Sequence, residues 1–572
     1  MPGRQALIER MLNGITPYTK EISMHFPSRY ERVSHNMLAP KGAEPFTYSD
    51  GDQVEQHLAK VVAEASDCSL MSPELNGAAA KSWASLYHLS PRRSYLVRPL
   101  EHLLRGSSVL ELGAGCGALT RYFGETAKTV VALEGSDRRA GIAASRCRDL
   151  ENVTVVNDTI QELELEEKFD VVTLIGVLEY ARTFGPKSDK PELDILRIAL
   201  SFLKPGGRFL LAIENQLGLK YFAGAAEDHI ALPFFGIHDL YTARTPVTFG
   251  RKELLSLLRE AGFRTMEQLV PLPDYKLPIT VLYPACVEQD DSPVDPAPFI
   301  RNSFRMDFQP ASDQCFSLEA ATAAVVRNGL MKDLCNSFFF VASPEENHPA
   351  CDSGWYVAHY GSERAPKYLK ETLFFEENGS PRVTRRYINN VSRDSNQIAH
   401  TIEDEPYFPY PVYLDLLCSR INMPGWNVAS LVNWAKPWIE LLRHNAEEGQ
   451  LPGRFLDAIP ANLLVGPNDE IIPFDCEWSP ARGKTVSLAY VVFRGLFSSL
   501  TWFENVAPPE KQTSLKVVAL VAKVMVRLGV DLAPGDIEAF IRMENQFQVE
   551  AARVRGREKD FLERTLRVRS LA

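Results

Sequence analysis

None of the nine cysteines stands in a CxxC pair, so neither a thiolate zinc site nor a disulfide framework is signalled. No apolar run approaches the length needed to cross a bilayer, and "VVTLIGV" is long enough only for a buried strand. Positive charge is not in excess either: 62 Lys and Arg against 73 Asp and Glu leave a formal net charge of -11. That argues against nucleic acid as the main partner, because phosphate binding needs a cationic face. Internal repeats and low-complexity segments are missing. The first twenty residues, "MPGRQALIERMLNGITPYTK", are charged and lack the apolar core of a signal peptide, so the cytoplasm is the expected compartment.

What is present is an ordinary globular composition, 45% hydrophobic and 24% charged, on a chain of 572 residues, too long for one core. The pattern predicts a mostly helical segment over residues 1–100 and an α/β domain over 101–288. A Pro/Asp-rich linker is expected over 289–299, a second, α+β domain over 300–545 and an amphipathic helix over 546–572. In the first domain "SVLELG", "TVVALEG", "VTVVND", "FDVVTLIG" and "GRFLLAIEN" alternate with helices, which indicates a Rossmann-like parallel sheet covered on both faces. After the linker, "NSFFFVAS", "GWYVAHYG", "KYLKETLFF" and "PRVTRRYI" read as strands of the second domain.

Glu111-Leu-Gly-Ala-Gly-Cys-Gly117 follows an apolar strand and opens a helix. Gly113, Gly115 and Gly117 allow a tight turn and a close approach of ligand to backbone. The ExGxGxG spacing with its leading Glu111 resembles motif I of class I S-adenosylmethionine (SAM) methyltransferases. The order of later features agrees with it. The second strand ends in Glu134, where a carboxylate can accept hydrogen bonds from both ribose hydroxyls. The third ends in Asp158, which the resemblance places at the adenine amino group, and "LKPGGRFLLAIEN" supplies the Pro-Gly-Gly turn. Tyr87, His88 and Arg93 are candidates to cover the SAM pocket; a capped helix start at Ser90-Pro91 accounts for them equally well.

The acceptor is open at this level. Methylating a hydroxyl needs a base, for which Glu179, His229 and His238 are available. Methylating a phosphate oxygen needs cations instead, and Arg182, Lys220 and Arg244 lie in the same region.

A second chemical pattern lies far downstream, in "DAIPANLLVGPNDEIIPFDCEW". Asn462 follows Asp457 by five residues and Asp475 follows Asn462 by thirteen. "NLLV" and "EIIPF" read as a hairpin about the polar turn "GPND". The spacing resembles the catalytic loop and metal-binding Asp of the kinase superfamily, closer to aminoglycoside phosphotransferases, because "DCEW" replaces Asp-Phe-Gly and Phe455-Leu456 replaces His-Arg. The resemblance implies a protein-kinase-like α+β domain. It makes Asp457 the residue that orients the acceptor hydroxyl and takes its proton, and Asn462 and Asp475 the ligands of Mg²⁺ on ATP. Lys370 and Arg385 are alternatives for the phosphate-binding position, and no glycine-rich loop is visible upstream of them.

The order of the two domains resembles the bifunctional kinase–methyltransferases that terminate bacterial O-antigen polysaccharides. That family phosphorylates a terminal sugar and then methylates the phosphate. The resemblance implies SAM, ATP and Mg²⁺ as cofactors, a sugar or glycan acceptor, and peripheral association with a polysaccharide assembly complex. An O-methyltransferase for carbohydrates or small molecules, with a non-catalytic kinase-like binding module, is the alternative. The long C-terminal coiled coil of those terminators has no counterpart here.

Overall fold

The computed structural model describes residues 25–42, 51–80, 82–288, 292–311, 314–351, 354–503, 505–552 and 558–569. The chain divides into two units that do not follow its linear order. The first comprises residues 1–218, 238–284 and 335–353; the second comprises 219–237, 285–334 and 354–572.

The first unit is built on strands β1 (Tyr30–Ser34), β2 (Met37–Pro40), β3 (Ser108–Leu112), β4 (Thr129–Leu133), β5 (Val153–Val156), β6 (Phe169–Ile175), β7 (Leu203–Glu214), β8 (Thr265–Leu272), β9 (Thr280–Leu282) and β10 (Ser337–Ser343). They lie in the order β1-β2-β5-β4-β3-β6-β7-β10-β8-β9. From β2 through β7 neighbouring strands run parallel. Near-continuous apolar sequence is what a parallel strand covered on both faces requires. In β3, Val109, Leu110 and Leu112 are fully buried. The helix Arg251–Ala261 buries one apolar stripe, Leu254, Leu255, Leu258 and Ala261, whereas Ala118–Thr126 is buried continuously from Ala118 to Gly124; Asp137–Arg146 and Pro191–Ser201 also pack in this unit.

Three expectations are corrected here. Residues 25–42, expected within a helical segment, form the β1–β2 hairpin, and β2 extends the parallel sheet by pairing with β5; the segments 1–24 and 43–50 fall outside the described residues. "NSFFFVAS", assigned to the second domain, is β10. It runs antiparallel between β7 and β8, with Ser337 opposite Glu214 and Phe339 opposite Leu269. A strand with both faces covered, as in Phe338, Phe339 and Phe340, carries no alternation to say which sheet receives it. The linker at 289–299 ends inside the helix Ala297–Phe304, with 289–291 outside the described residues.

In the second unit β11 (Trp355–Gly361), β12 (Lys370–Glu377) and β13 (Ser380–Tyr387) form an antiparallel meander. β12 and β13 are joined by the two-residue turn Asn378-Gly379, and Arg382 and Val383 of β13 pair with the short strand at Glu405–Pro406. A separate short strand, Ile398–His400, pairs with Trp478–Pro480. The rest of this unit is mainly helical. Tyr413–Ile421, Val428–His444, Leu488–Thr501, Val517–Arg527 and Asp536–Ala552 enclose one core around Trp434, Trp438 and Phe493. Val428–His444 opens with a capping box between Asn427 and Ser430. The helix expected over 546–572 instead belongs to Asp536–Ala552, and its continuation is the short helix Glu558–Glu563 and a two-residue strand. Among the described residues no helix is long and apolar enough to cross a membrane.

Candidate functional site

In the first unit the functional side chains gather at the carboxyl ends of β3, β4, β6 and β7, where an open parallel sheet leaves a crevice for ligands. Gly113 and Ala114 donate their N–H groups to Leu133 O at 2.9 and 2.8 Å, folding the loop after β3 against the end of β4. Gly115 N donates to Glu134 Oε2 at 2.7 Å, and Ser136 N to Glu134 Oε1 at 2.9 Å. Glu134 therefore ties the glycine loop to the end of β4, and its carboxylate is almost fully buried. Gly117, with φ +78°, starts the helix Ala118–Thr126; a Cβ there would meet Ala143 Cα at 2.9 Å. The loop is thus pressed against the helix Asp137–Arg146, and only glycine fits.

Glu111 lies beneath this loop. Thr120 Oγ1 donates to its Oε2 at 2.6 Å. Burial pushes the Glu111 carboxyl up to about 8, although the Thr120 bond and the Arg93 charge pull it back and Glu134 pushes it further. Arg93 is itself buried. It donates to Lys276 O at 2.9 Å and to Tyr275 O at 3.4 Å, and stacks on the Tyr87 ring at 4.4 Å. The capped start at Ser90 is present too, with Ser90 Oγ accepting from Arg92 N at 3.2 Å. The capped start at Ser90-Pro91 in "YHLSPRR" is thus present, and Arg93 is buried rather than exposed.

Asp158 sits at the end of β5, but its carboxylate is engaged. Oδ2 accepts from Arg29 Nη2 and from the Tyr30 hydroxyl, each at 2.8 Å, and Oδ1 accepts from Thr159 N. The β1 hairpin thus reaches the position expected to read adenine, a contact the sequence did not signal.

Four residues close the crevice beside the glycine loop. A Cβ at Gly113 would lie 2.4 Å from Val177 Cγ2, which places the β6 loop and Glu179 next to it. A Cβ at Gly176 would lie 2.7 Å from the Tyr275 hydroxyl. That hydroxyl donates to Glu214 Oε1 at 3.2 Å, and Lys276 Nζ pairs with the same oxygen at 2.6 Å. Glu179 and Glu214 present carboxylate oxygens within 4.8 Å of each other. Burial, then the charges of Glu214 and Glu179, hold the Tyr275 phenol well above its ordinary range, so it stays a donor. Glu214, Tyr275 and Lys276 escaped the sequence reading because no motif joins the end of β7 to the loop after β8. The only hint was a carboxylate closing the apolar run "FLLAIE".

Arg182, His238, Arg244 and Lys220 are placed differently. Arg182 is committed to Glu192 at 2.5 Å, while His238 and Arg244 are exposed. In the second unit Lys220 is buried against Asp228 at 3.4 Å and Asp307 at 4.0 Å. His229 is half-buried in that same unit, with its backbone N–H donating to Glu227.

A second cluster belongs to the second unit. Asn462 Nδ2 donates to the Asp457 carbonyl at 3.0 Å, closing the turn before the hairpin Leu463–Val465 and Ile471–Pro473. Asp457 Oδ2 accepts from Glu477 N at 3.1 Å and Trp478 N at 3.4 Å, with Arg494 3.8 Å from Oδ1. Burial pushes the Asp457 carboxyl up to about 6, against the pull of Arg494. Asp475, at φ +48°, accepts through Oδ1 from Lys370 Nζ and from Arg385 Nε, both at 2.9 Å. The two alternatives of the sequence reading therefore meet at one carboxylate. Arg385 pairs across the ladder with Thr372, two residues from Lys370, so both project from one face of the sheet. Glu477 bonds Lys370, Arg364 at 2.7 Å and His400 at 3.1 Å. Burial works against the Glu477 carboxylate ion, yet Arg364, His400 and Lys370 hold its carboxyl far below the usual range.

Residues 87–268 match a family described as a methyltransferase domain. Ribosomal RNA small subunit methyltransferase A of Streptococcus gordonii is 45% identical over 60 residues, 10% of this chain and 21% of that protein. The Streptococcus uberis protein of the same name is 41% identical over 64 residues, 11% and 22% of the two lengths. The matched stretch thus spans about a fifth of these relatives. Among solved structures, the N-methyltransferase NodS from Bradyrhizobium japonicum aligns at 17% identity with a TM-score of 0.24, covering 31% of this chain and 84% of that one. A SAM-dependent methyltransferase from Clostridium acetobutylicum aligns at 14% and 0.25, covering 31% and 82%. Together with the glycine loop, the family match makes residues 87–268 a Rossmann-like, SAM-dependent methyltransferase domain.

Replacing Glu134 by Ala removes the acceptor that holds Gly115, and with it the carboxylate expected to meet the ribose hydroxyls. SAM affinity should fall about 10- to 100-fold, the worth of a charged hydrogen bond of roughly 1.5–3 kcal/mol. Calorimetric titration of SAM into both proteins measures it, and equal affinities would remove Glu134 from the cofactor site.

Proposed function

We propose that this chain is a SAM-dependent methyltransferase whose second unit transfers phosphoryl groups from ATP, and that it phosphorylates and then methylates a terminal sugar of a bacterial surface polysaccharide. The observation that carries the phosphoryl-transfer part is the meeting of Lys370 and Arg385 at Asp475, with Glu477 bonding Lys370 through its carboxylate and Asp457 through its N–H, and Asn462 closing the turn onto the Asp457 carbonyl. In this reading the oxygens of Asn462 and Asp475 hold Mg²⁺, while Lys370 and Arg385 meet the phosphates of ATP. Asp457, with its carboxyl raised to about 6, is suited to receive a proton from a sugar hydroxyl.

In the methyltransferase domain the cradle of Gly113, Gly115 and Gly117, which any Cβ would crowd, fits the methionine part of SAM. Glu134 takes the ribose, Arg93 and Tyr87 close the methionine end, and Asp158 with Tyr30 lies at the adenine end. SAM supplies an electrophilic methyl group when bound. Both cofactors are cytoplasmic, and a peripheral contact with a polysaccharide assembly complex would bring the glycan to them.

A second reading is an O-methyltransferase with a non-catalytic second unit. It is favoured by the engagement of Asp475 with both Lys370 and Arg385, which a metal ion would have to displace. One experiment separates the two. The protein is incubated with an oligosaccharide and tritiated SAM, with and without prior treatment with ATP and Mg²⁺. Methyl incorporation that depends on ATP supports the first reading; incorporation of equal rate without ATP supports the second.

A further inference from the structure

The methyltransferase match begins at residue 87, yet two side chains that hold the expected adenine reader come from the β1–β2 hairpin, outside that segment. The hairpin is tied down at two places. Its strand β2 pairs with β5, where Val155 N donates to Asn36 O and Asn157 N to Leu38 O, both at 2.8 Å. The buried Asn36 side chain donates to Ala144 O at 3.0 Å and to Cys147 O at 3.3 Å, at the end of the helix Asp137–Arg146. Arg29 Nη2 and the Tyr30 hydroxyl then reach Asp158 Oδ2, each at 2.8 Å. Arg29 Nη1 also donates to Glu162 O at 2.8 Å and to Glu164 Oε1 at 2.9 Å, and the Tyr30 hydroxyl accepts from Glu164 N at 3.2 Å. Two side chains of β1 and the residue before it thus bind the whole loop from Asp158 to Glu164. Burial holds the Tyr30 phenol above its ordinary range, against the pull of the Glu164 N–H, so its hydroxyl stays a donor.

An ionised carboxylate has about four acceptor positions. On Asp158 two are filled at Oδ2 by Arg29 and Tyr30, and one at Oδ1 by Thr159 N. The carboxylate cannot turn about its Cβ–Cγ bond without breaking both bonds at Oδ2, so Oδ1 is the oxygen left to receive a ligand's amino group. Resting on the placement of Asp158 at adenine in the proposed SAM site, we propose that Arg29 and Tyr30 are positioning residues for cofactor recognition: they fix the Asp158 carboxylate so that Oδ1 accepts from the exocyclic amino group of adenine. Selectivity for adenine over a purine without that group then depends on the hairpin as well as on Asp158.

The test measures by calorimetry, on the full chain, the Kd of S-adenosylhomocysteine and of its 6-deamino analogue, in which hydrogen replaces the amino group. Wild type should bind the first about 10- to 100-fold more tightly, because the analogue leaves a carboxylate without its donor. Asp158→Ala should bring this ratio to about 1. Tyr30→Phe, which removes one hydroxyl, should lower the ratio about 2- to 10-fold. Arg29→Ala should lower it further, and Arg29→Lys, which restores the charge without the planar fork, should fall between Arg29→Ala and wild type. The ratio decides the matter, since a general loosening of the domain weakens both ligands alike and leaves it unmoved. A ratio that stays constant or rises in both Tyr30→Phe and Arg29→Ala overturns the proposal. Wild type that binds the two ligands equally overturns the placement of Asp158 at adenine and the proposal with it, whereas wild type that binds neither overturns the SAM site itself.

Discussion

Asp475→Ala is expected to remove ATP-dependent phosphorylation while leaving SAM affinity unchanged. In the proposed reading Asp475 would supply a carboxylate for Mg²⁺, and the metal's charge would hold the phosphates of ATP, so the loss should exceed the roughly 10²–10⁴-fold cost of losing a general base. The change also acts on stability. Asp475 Oδ1 accepts from Lys370 and Arg385, two nearly buried cations. Losing one partner of a buried pair costs about 3–5 kcal/mol when the other charge is left alone. Here Lys370 keeps Glu477 and Arg385 keeps Glu405, so a smaller cost of about 1–3 kcal/mol is expected. The measurements are phosphate transfer from labelled ATP to a glycan, a SAM titration, and thermal unfolding. Undiminished phosphate transfer would remove Asp475 from the metal site, and a wild-type protein that never consumes ATP would favour the non-catalytic second unit.

Asp457→Asn should lose phosphoryl transfer by about 10²–10⁴ yet gain stability at neutral pH. Burial raises the Asp457 carboxyl to about 6, whereas an unfolded aspartate titrates near 3.9. An acid that binds its proton more tightly when folded destabilises the protein fully above about pH 6 and not at all below about pH 4. A shift of this size corresponds to a cost of up to about 3 kcal/mol at pH 7. Asparagine carries no charge, and its carbonyl oxygen can still accept from Glu477 N and Trp478 N. Thermal unfolding should therefore show the variant more stable than wild type at pH 8, with the difference closing as pH falls toward 4. A difference that grows toward low pH would contradict the assignment of burial as the dominant effect.

The parts of the fold legible in the sequence were those in which local chemistry decides the outcome. The strand–glycine loop–helix from Ser108 to Thr126 is one, because an apolar run, three glycines and a helix follow each other without a gap. The hairpin after Asn462 is another, its turn marked by "GPND". Long-range partnerships were not legible. Asp158 reads as a ligand residue in sequence, but Arg29 and Tyr30 come to it from β1, more than a hundred residues away. Glu214 meets Lys276 only because the strands carry β7 and the loop after β8 to the same end of the sheet. The choice between Lys370 and Arg385 was undecidable from spacing because adjacent antiparallel strands bring both to Asp475. The burial that raises Glu111 and Asp457 has no sequence signature at all.

The placement of β10 bears on how this protein can be cut and synthesised. Residues 335–353 return to the first unit after the chain has spent 285–334 in the second. A fragment ending at residue 288 would hold every residue proposed above to face SAM, and still lack the strand that joins β7 to β8. Two long apolar edges would be left open, with Leu210, Leu211 and Leu269 alongside them, the kind of edge that pairs with other chains and precipitates. On a ribosome the same edges stay open until β10 has emerged, so the domain nearer the N-terminus cannot finish folding before part of its neighbour has been translated.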